Sequence, residues 1–309
     1  MDSAMDARVR VSLPDLARLE HKASGFSFLP RQPITSLLAG RHASRLRGRG
    51  LNFEEIRDYL PGDDIRNIDW KVTARLRKPH VRVYTEERDR PAILIVDQRI
   101  SMFFGSRMYM KSVTAAHVAA LAAWRVFSSG DRVGAVVFND SEVRQISPLR
   151  SRRRLMEIFG AIERQNRALR ADAPERSRPE MLNEAIERAF RLAGHDHLLV
   201  IVSDFAGGDE KTRQNILRAA RHNDVLAALV YDPSARELPG DGRLVVTEGE
   251  LQVEWNLGDR RVRNPISEFA ADRLRAVEEF LRKLGIPVLP IDTGSDPVEQ
   301  IRMLLGRRT

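Results

Sequence analysis

The segments PAILIVD at residues 91–97 and HLLVIVSD at residues 197–204 decide the fold. Each is a short apolar run that is continuous rather than alternating, as expected of a strand that is covered on both faces. From residue 91 onward, runs of this kind alternate with helical stretches. This alternation is typical of a mainly parallel sheet with helices on both faces, so the sequence predicts an α/β fold.

Five buried strands, six helices and two short antiparallel additions are predicted in this part of the chain. The strands are predicted at residues 92–96, 132–138, 197–203, 225–231 and 286–291. The helices are predicted at residues 107–127, 150–165, 178–192, 209–221, 266–283 and 296–305. An edge strand is predicted at 142–146, after a turn at 139–141, and a hairpin is predicted outside the main sheet within 232–262.

Residues 1–90 differ in pattern, and we predict an N-terminal region there that packs on the α/β domain of residues 91–309. Residues 13–22 have helical character, whereas the stretch that follows, to residue 50, has no clear periodicity. Four apolar residues fall at helical spacing after Asp63 and Asp64, which favours a helix over a strand. They are Ile65, Ile68, Val72 and Leu76. A strand at 81–85 is then predicted to lead into the main sheet.

Composition limits the classes of protein to consider. The 309 residues include no cysteine, which excludes disulfides, thiolate metal sites and a cysteine nucleophile and suits a cytoplasmic protein. The apolar runs are far shorter than the roughly 20 residues that a membrane-spanning helix needs. The formal charge is +8, with arginines concentrated at 41–50 and 144–178, which raises the question of an acidic partner.

Three oxygen-bearing residues follow two of the predicted strands. Asp97 and Ser101 follow the first strand, and Asp204 follows the strand at 197–203. Ligands of open α/β sheets bind beyond the carboxyl ends of strands, so we expect these side chains to converge. Carboxylate and hydroxyl oxygens are the ligands that Mg²⁺ prefers. The arrangement resembles the metal-ion-dependent adhesion site of von Willebrand factor A domains, whose pattern is Asp-x-Ser-x-Ser with a distant Thr and a distant Asp.

The sequence departs from that pattern in two places. Arg99 stands where the first serine is expected, and no threonine lies within residues 148–196. We therefore expect no metal cofactor, with weak Mg²⁺ binding as the alternative. Our hypothesis is that the guanidinium of Arg99 pairs with Asp97, Asp204 or both and replaces the ion. The alternative is that Arg99 points into solvent.

A longer set of residues resembles the signature of the family known as domain of unknown function 58. The matches are Tyr59-Leu60-Pro61-Gly62-Asp63-Asp64-Ile65-Arg66, Ile68-Asp69-Trp70, Thr73-Ala74-Arg75, Ser101-Met102 with Gly105, Lys111, Gly130-Asp131-Arg132-Val133-Gly134 and Ser203-Asp204-Phe205. The resemblance implies a von Willebrand factor A-like domain. For Asp69, Trp70 and Arg75 we predict a structural role, with a buried Trp70 ring, and the alternative is a partner-binding surface.

The resemblance also implies a function. Members of this family are associated with MoxR-type AAA+ ATPases in chaperone-like maturation or assembly, so we expect a non-enzymatic adaptor without a small-molecule substrate. Partner contact is expected on the face near Asp97 and Asp204.

Two other functions remain open alternatives. A Mg²⁺-dependent enzyme is one, although Gly48-Arg49-Gly50 lacks the spacing of a phosphate-binding loop and His195 and His197 lie at the amino end of a strand. A basic nucleic-acid-binding protein is the other, although aromatic residues make up only 6% of the chain and the binding modules that accompany basic patches are not recognisable.

Overall fold

The computed structural model describes residues 6–26, 51–86, 90–170, 177–236, 243–247, 252–256 and 260–306. Its helices are α1 (Leu13–Arg18), α2 (Trp70–Leu76), α3 (Lys111–Ser128), α4 (Arg152–Ala168), α5 (Glu180–Ala193), α6 (Glu210–Ala220), α7 (Arg260–Lys283) and α8 (Pro297–Leu305). Its strands are β1 (Leu51–Asp58), β2 (His80–Glu86), β3 (Ala92–Asp97), β4 (Val133–Phe138), β5 (Val143–Leu149), β6 (Leu198–Ser203), β7 (Asp224–Tyr231), β8 (Arg243–Thr247), β9 (Gln252–Asn256) and β10 (Val288–Asp292).

The chain divides into two compact units. The larger unit comprises residues 1–30 and 90–309, and the smaller comprises residues 31–89. The sequence grouped residues 1–90 together, but α1 packs within the larger unit, where the carbonyl of Leu16 accepts a hydrogen bond of 3.1 Å from the indole of Trp124. None of the helices in the described part of the chain is long and apolar enough to cross a membrane.

The larger unit is built on a six-stranded sheet in the order β10-β7-β6-β3-β4-β5. Five of these strands are parallel, and β5 runs antiparallel to β4 at the edge. The mixed α/β class, the mainly parallel sheet and the antiparallel edge strand are therefore confirmed. The hairpin of β8 and β9 forms a separate two-stranded sheet, as predicted.

Helices cover both faces of this sheet, and every residue of the internal strand β3 is consequently buried. Leu94 and Val96 of β3 belong to one core cluster, with residues of α3 and α4, whereas Ile93 and Ile95 belong to the other, with residues of α5 and α6. The two-residue period of a strand sends successive side chains to opposite faces. This double burial is the reason that the strand sequences are continuously apolar.

The helix α3 begins at Lys111, four residues later than predicted. In the segment before it, the backbone N–H of Tyr109 donates to the carbonyl of Thr293 at 3.0 Å and that of Met110 donates to Arg8 at 2.9 Å. These tertiary hydrogen bonds take the donors out of any local helical turn. Residues 98–110, which include a 3₁₀ turn at Ile100–Met102, connect β3 to α3 and are called the loop after β3.

The smaller unit is a two-stranded antiparallel sheet of β1 and β2, with α2 between the strands in sequence. The predicted helix across residues 65–76 is split into a 3₁₀ turn at Ile65–Asn67 and α2, because Ile68 is extended and pairs with Val81. The predicted strand at 81–85 is present as β2, but it pairs with β1 and does not enter the main sheet. The prediction that this strand leads into the main sheet is wrong. The choice of partner strand depends on residues that are distant in sequence, here those of β1.

The prediction of a buried Trp70 ring is also wrong, since the side chain is 70% exposed. Thr73 faces β2, because its hydroxyl accepts a hydrogen bond of 3.0 Å from the backbone N–H of His80. The helical period therefore turns Trp70 and Arg75 outward, and both are exposed. Asp69 does have the structural role: it is 6% exposed, caps α2 and pairs with Arg82.

Replacing two tryptophans tests this assignment. Trp124→Ala removes a fully buried ring from the core, so we expect it to lower the free energy of unfolding by about 3–5 kcal/mol. Trp70→Ala removes an exposed ring, so its effect should stay within about 0.5 kcal/mol. Urea denaturation followed by far-ultraviolet circular dichroism measures both. A cost for Trp70→Ala as large as that for Trp124→Ala would show that the ring is buried.

Candidate functional site

Each parallel strand of the main sheet is followed at its carboxyl end by an aspartate, and we call this side of the sheet the carboxyl edge. In sheet order these residues are Asp292 of β10, Asp232 after β7, Asp204 after β6, Asp97 of β3 and Asp140 after β4. Since parallel strands all end on one side, the topology places five carboxylates in a row. The sequence analysis selected Asp97 and Asp204 from this row.

The guanidinium of Arg99 lies against Asp97 inside the protein. Its Nε donates to both carboxylate oxygens of Asp97 at 3.1 Å, and one terminal nitrogen donates to Oδ2 at 2.7 Å. The Arg99 side chain is 1% exposed and that of Asp97 is fully buried. Such a bidentate, charge-assisted contact is among the strongest that two side chains form. The alternative in which Arg99 points into solvent is therefore wrong.

The same guanidinium reaches the neighbouring strand end. A terminal nitrogen of Arg99 lies 3.8 Å from Oδ1 of Asp204, and the other donates to the carbonyl of Ala206 at 3.1 Å. Its plane lies over the ring of Phe138, with 5.6 Å from the central carbon to the ring centroid. Burial by itself lowers the pKa of Arg99, but the carboxylates of Asp97, Asp204 and Asp140 raise it above the ordinary arginine value. Arg99 is thus a permanent buried cation between two strand ends.

Asp204 has a second cation of its own. The ammonium of Lys111, the first residue of α3, donates to Oδ2 at 2.6 Å, and the backbone N–H of Ala206 donates to Oδ1 at 2.9 Å. Ser101 contributes a longer hydrogen bond of 3.4 Å to the same oxygen. Burial opposes the charge of Asp204, yet Lys111 and Arg99 outweigh burial and hold its pKa at about 2. The carboxylate is ionised at any physiological pH.

The structure brings together the three predicted residues Asp97, Ser101 and Asp204, and it adds two that the sequence analysis did not assign. Ser203 donates its hydroxyl to Oδ2 of Asp97 at 2.6 Å, and Lys111 pairs with Asp204. Both residues are present in the family-like segments, but no spacing rule links Lys111 to a strand end 93 positions away. The pairing of Lys111 with Asp204 arises because the first turn of α3 lies close to the carboxyl end of β6.

Asp140 and Asp232 were also missed, and both hold the loop of residues 98–110. Asp140 accepts a hydrogen bond of 2.6 Å from the backbone N–H of Ile100. Asp232 accepts hydrogen bonds from the hydroxyl and the backbone N–H of Ser106, at 2.5 and 2.8 Å, and from the hydroxyl of Thr293 at 2.5 Å. Burial opposes ionisation, but these hydrogen bonds lower the pKa of Asp232. Asp232 directly follows an apolar run and Asp140 comes two residues after one, which is a signal that sequence reasoning could have used.

The donor set at this edge does not fit a magnesium ion. Both oxygens of Asp97 are engaged by Arg99, and Ser203 adds a further donor to Oδ2. Asp204 is engaged by Lys111, and the guanidinium lies where a cation would neutralise both carboxylates. Among the described residues, no group of three or more Asp, Glu or His side chains is arranged to hold a metal. A divalent ion would have to displace a buried cation, against strong electrostatic repulsion.

Seven of the residues that resemble the family signature lie in the smaller unit, where they build its local structure and its surface: Tyr59, Gly62, Asp63, Arg66, Asp69, Trp70 and Arg75. Gly62 has a φ of +108°, which glycine adopts without strain, and Asp63 accepts two hydrogen bonds of 2.8 Å from Arg57. Asp69 and Trp70 start α2, as described above. The others are Tyr59, which donates its backbone N–H to Pro79, Arg66, which pairs with Asp64, and the exposed Arg75.

Residues 55–276 match the model of the family described as "Protein of unknown function DUF58". The chain belongs to this family. The DUF58 chain is 32% identical over 283 residues to an uncharacterised protein of Mycobacterium tuberculosis and to one of Mycobacterium bovis, with 90% of this chain and 86% of each relative covered. A crystal structure of a conserved hypothetical protein BatB from Bacteroides thetaiotaomicron aligns with a TM-score of 0.38 and 13% identity over 63% of this chain and 98% of that chain.

Calorimetric titration with Mg²⁺ and Mn²⁺ measures whether the carboxyl edge binds a divalent metal ion. We expect no saturable heat from the wild-type protein, because Arg99 supplies the positive charge. Arg99→Ser removes the guanidinium and adds a hydroxyl ligand, so weak binding should appear, and Arg99→Ser/Asp97→Ala should lose it again. Micromolar binding by the wild-type protein, abolished in an Asp97→Asn variant that circular dichroism shows to be folded, would contradict the assignment.

The depressed pKa of Asp204 gives a pH dependence with a defined sign. Its folded pKa of about 2 lies below the ordinary aspartate value of 3.8, so its contribution to stability is present above about pH 4 and is lost as the pH falls toward 2. The difference amounts to about 2 kcal/mol. Between pH 4 and pH 2, wild type should therefore lose about this much more free energy of unfolding than Asp204→Asn. Parallel pH profiles for the two proteins would show that Asp204 is not held in its ionised form.

Proposed function

We propose that this DUF58 protein is a non-enzymatic adaptor with a von Willebrand factor A-like domain, and that it binds a MoxR-type AAA+ ATPase through the carboxyl edge. The partner class rests on what the family resemblance implies. The proposed surface rests on the exposed loop at this edge.

The observation that carries the proposed surface is a pair of exposed apolar side chains on a firmly held loop. Phe104 is 37% exposed and Met108 is 40% exposed, and both belong to the loop that follows Asp97. The contacts of Ser106 with Asp232 and of Ile100 with Asp140 fix this loop to two neighbouring strand ends. Because the loop is ordered before binding, little conformational entropy is lost when a partner covers it.

The two aspartates themselves are unsuited to contact a partner directly. Asp97 is fully buried and the Asp204 side chain is 8% exposed, so neither presents its carboxylate to a second protein. Alanine at either position would strand a buried cation, which typically costs about 3–5 kcal/mol. The double alanine variant would therefore report on folding rather than on binding. Substitutions in the loop are the better probe.

The chemistry of Asp204 gives no support to the enzyme alternative. A general base works best when its pKa lies near the working pH. The pKa of Asp204 is about 2, so this carboxylate is a poor acceptor for the proton of the nearby Ser101 hydroxyl. The carboxyl edge is better suited to shape a surface than to transfer protons.

Binding to the nucleotide-loaded MoxR-type ATPase of the same organism tests the proposal. Phe104→Ala/Met108→Ala should weaken the complex by about tenfold or more, since truncation of apolar anchors at an interface costs at least about 1 kcal/mol each. Leu149→Ala is the matched control, because Leu149 is 47% exposed and pairs with Val133 at the opposite end of the sheet. Biolayer interferometry gives the affinities and thermal melts confirm folding.

The possible outcomes separate the partner from the surface. If wild type and Phe104→Ala/Met108→Ala bind the ATPase with equal affinity, the carboxyl edge is not the binding surface. An absence of binding by folded wild type to the ATPase in every nucleotide state would overturn the adaptor proposal itself.

A further inference from the structure

The smaller unit has an exposed basic and aromatic surface that is not part of the proposed contact at the carboxyl edge. Trp70 is 70% exposed on α2, and Lys71 and Arg75 are exposed beside it on the same helix. Arg77 and Lys78, which follow the helix directly, are exposed as well. We call these five residues the basic–aromatic face.

The period of the helix arranges the first part of this face. At about 100° per residue, Trp70, Lys71, Ala74 and Arg75 lie on one continuous side of α2. The other side is fixed to β2, because the hydroxyl of Thr73 accepts from the N–H of His80 at 3.0 Å. The N–H of Asp69 donates to the carbonyl of His80 at 2.9 Å, so the start of the helix is held too. The basic–aromatic face is thus displayed by a fixed element.

The four aspartates whose side chains are described in the smaller unit already lie beside other basic residues. Asp63 pairs with Arg57, Asp64 with Arg66, and Asp69 with Arg82, each with a closest distance of 2.6 to 2.8 Å. Asp58 lies 3.1 Å from the ring of His80. Within the described residues, the four cations of the basic–aromatic face have no such acidic partner.

The apolar content of the segment indicates the kind of ligand. Leu60, Ile65 and Leu76 are 58%, 65% and 55% exposed within the same stretch as Trp70. Single-stranded nucleic acid is bound by several aromatic rings that stack on bases, whereas exposed aliphatic side chains suit contact with a protein. Interfaces between proteins are enriched in Trp and Arg at the residues that contribute most to affinity.

We propose that the basic–aromatic face binds an acidic segment of a partner protein, whose carboxylates pair with the four cations and whose apolar side chain packs on Trp70. Charge complementarity selects the acidic partner, and the exposed indole supplies the anchor. This surface lies in the smaller unit and its role does not depend on the proposed ATPase contact at the carboxyl edge. Binding should weaken steeply as salt is added, because exposed charges are screened.

Fluorescence anisotropy with a labelled peptide tests the proposal on the full chain. The probe is a synthetic peptide of about 14 residues, in which Glu alternates with Leu and Phe. This length is that of a short segment recognised by a protein surface. One comparison peptide has Lys in place of Glu, and a second has Ser in place of Leu and Phe. An oligothymidylate and vesicles of phosphatidylglycerol and phosphatidylcholine represent nucleic acid and membrane.

Three variants and one matched control distinguish binding at the basic–aromatic face from general attraction between the acidic peptide and a basic protein. Trp70→Ala and Lys71→Glu/Arg75→Glu should each weaken binding of the acidic probe by about tenfold or more. Arg77→Gly removes a cation at a residue with a φ of +56°, which glycine adopts more easily, so it should weaken binding while its thermal midpoint stays at or above that of wild type. Arg153→Glu/Arg164→Glu makes the same charge change on the exposed side of α4 and should leave binding unchanged.

The proposal is supported if the acidic, apolar peptide binds wild type saturably, if both comparison peptides bind more weakly, and if the charge-reversed variant prefers the Lys peptide. It is overturned if the acidic peptide does not bind, or if the face variants and the α4 control bind it equally. It is equally overturned if the oligothymidylate or the vesicles bind more tightly than the peptide and depend on the same residues.

Discussion

The buried ion pair between Asp97 and Arg99 is the interaction on which the carboxyl edge depends. A charge with 1% exposure is stable only when it is paired and its hydrogen bonds are satisfied, and Arg99 meets both conditions through Asp97 and the carbonyl of Ala206. Removing one partner from such a pair typically costs about 3–5 kcal/mol, because the other charge stays buried. The pair therefore fixes the loop after β3 relative to the turn after β6.

This ion pair also explains how neighbouring carboxylates coexist at the ends of adjacent strands. Two carboxylates close together repel each other unless a cation lies between them. Here protein side chains supply that charge: Arg99 contacts Asp97 and approaches Asp204, and Lys111 pairs with Asp204. An edge neutralised in this way keeps its charge balance whatever ions are available. Its outer surface is then formed by the loop that carries Phe104 and Met108, and this loop is where we propose that a partner binds.

Sequence reasoning succeeded where local pattern alone determines structure. The strands of the main sheet were predicted because burial on both faces leaves continuous apolar runs such as Ile93–Val96, and the edge strand was predicted because a short turn precedes it. The position of Arg99, two residues after Asp97, was enough for the hypothesis that it pairs with Asp97, Asp204 or both, although it did not distinguish between these carboxylates. Asp140 and Asp232 were missed because neither lies in the segments that resemble the family signature.

The failures share a physical cause, which is that they depend on residues far apart in sequence. The start of α3 is set by hydrogen bonds from Tyr109 and Met110 to Thr293 and Arg8. The pairing of β2 with β1 is set by register across a long connection. Trp70 was predicted to be buried because a ring beside Asp69 could fix how residues 50–90 dock, but a seven-residue helix has only one side against the sheet, and Thr73 occupies it.

The most direct test of the central claim is a crystal structure of the full chain grown in millimolar Mn²⁺, with diffraction data collected above the manganese absorption edge. We expect guanidinium density between Asp97 and Asp204, the bidentate contact of Arg99 with Asp97, and no anomalous peak within coordination distance of either carboxylate. An anomalous peak between the two aspartates, with the Arg99 side chain turned away from them, would contradict it.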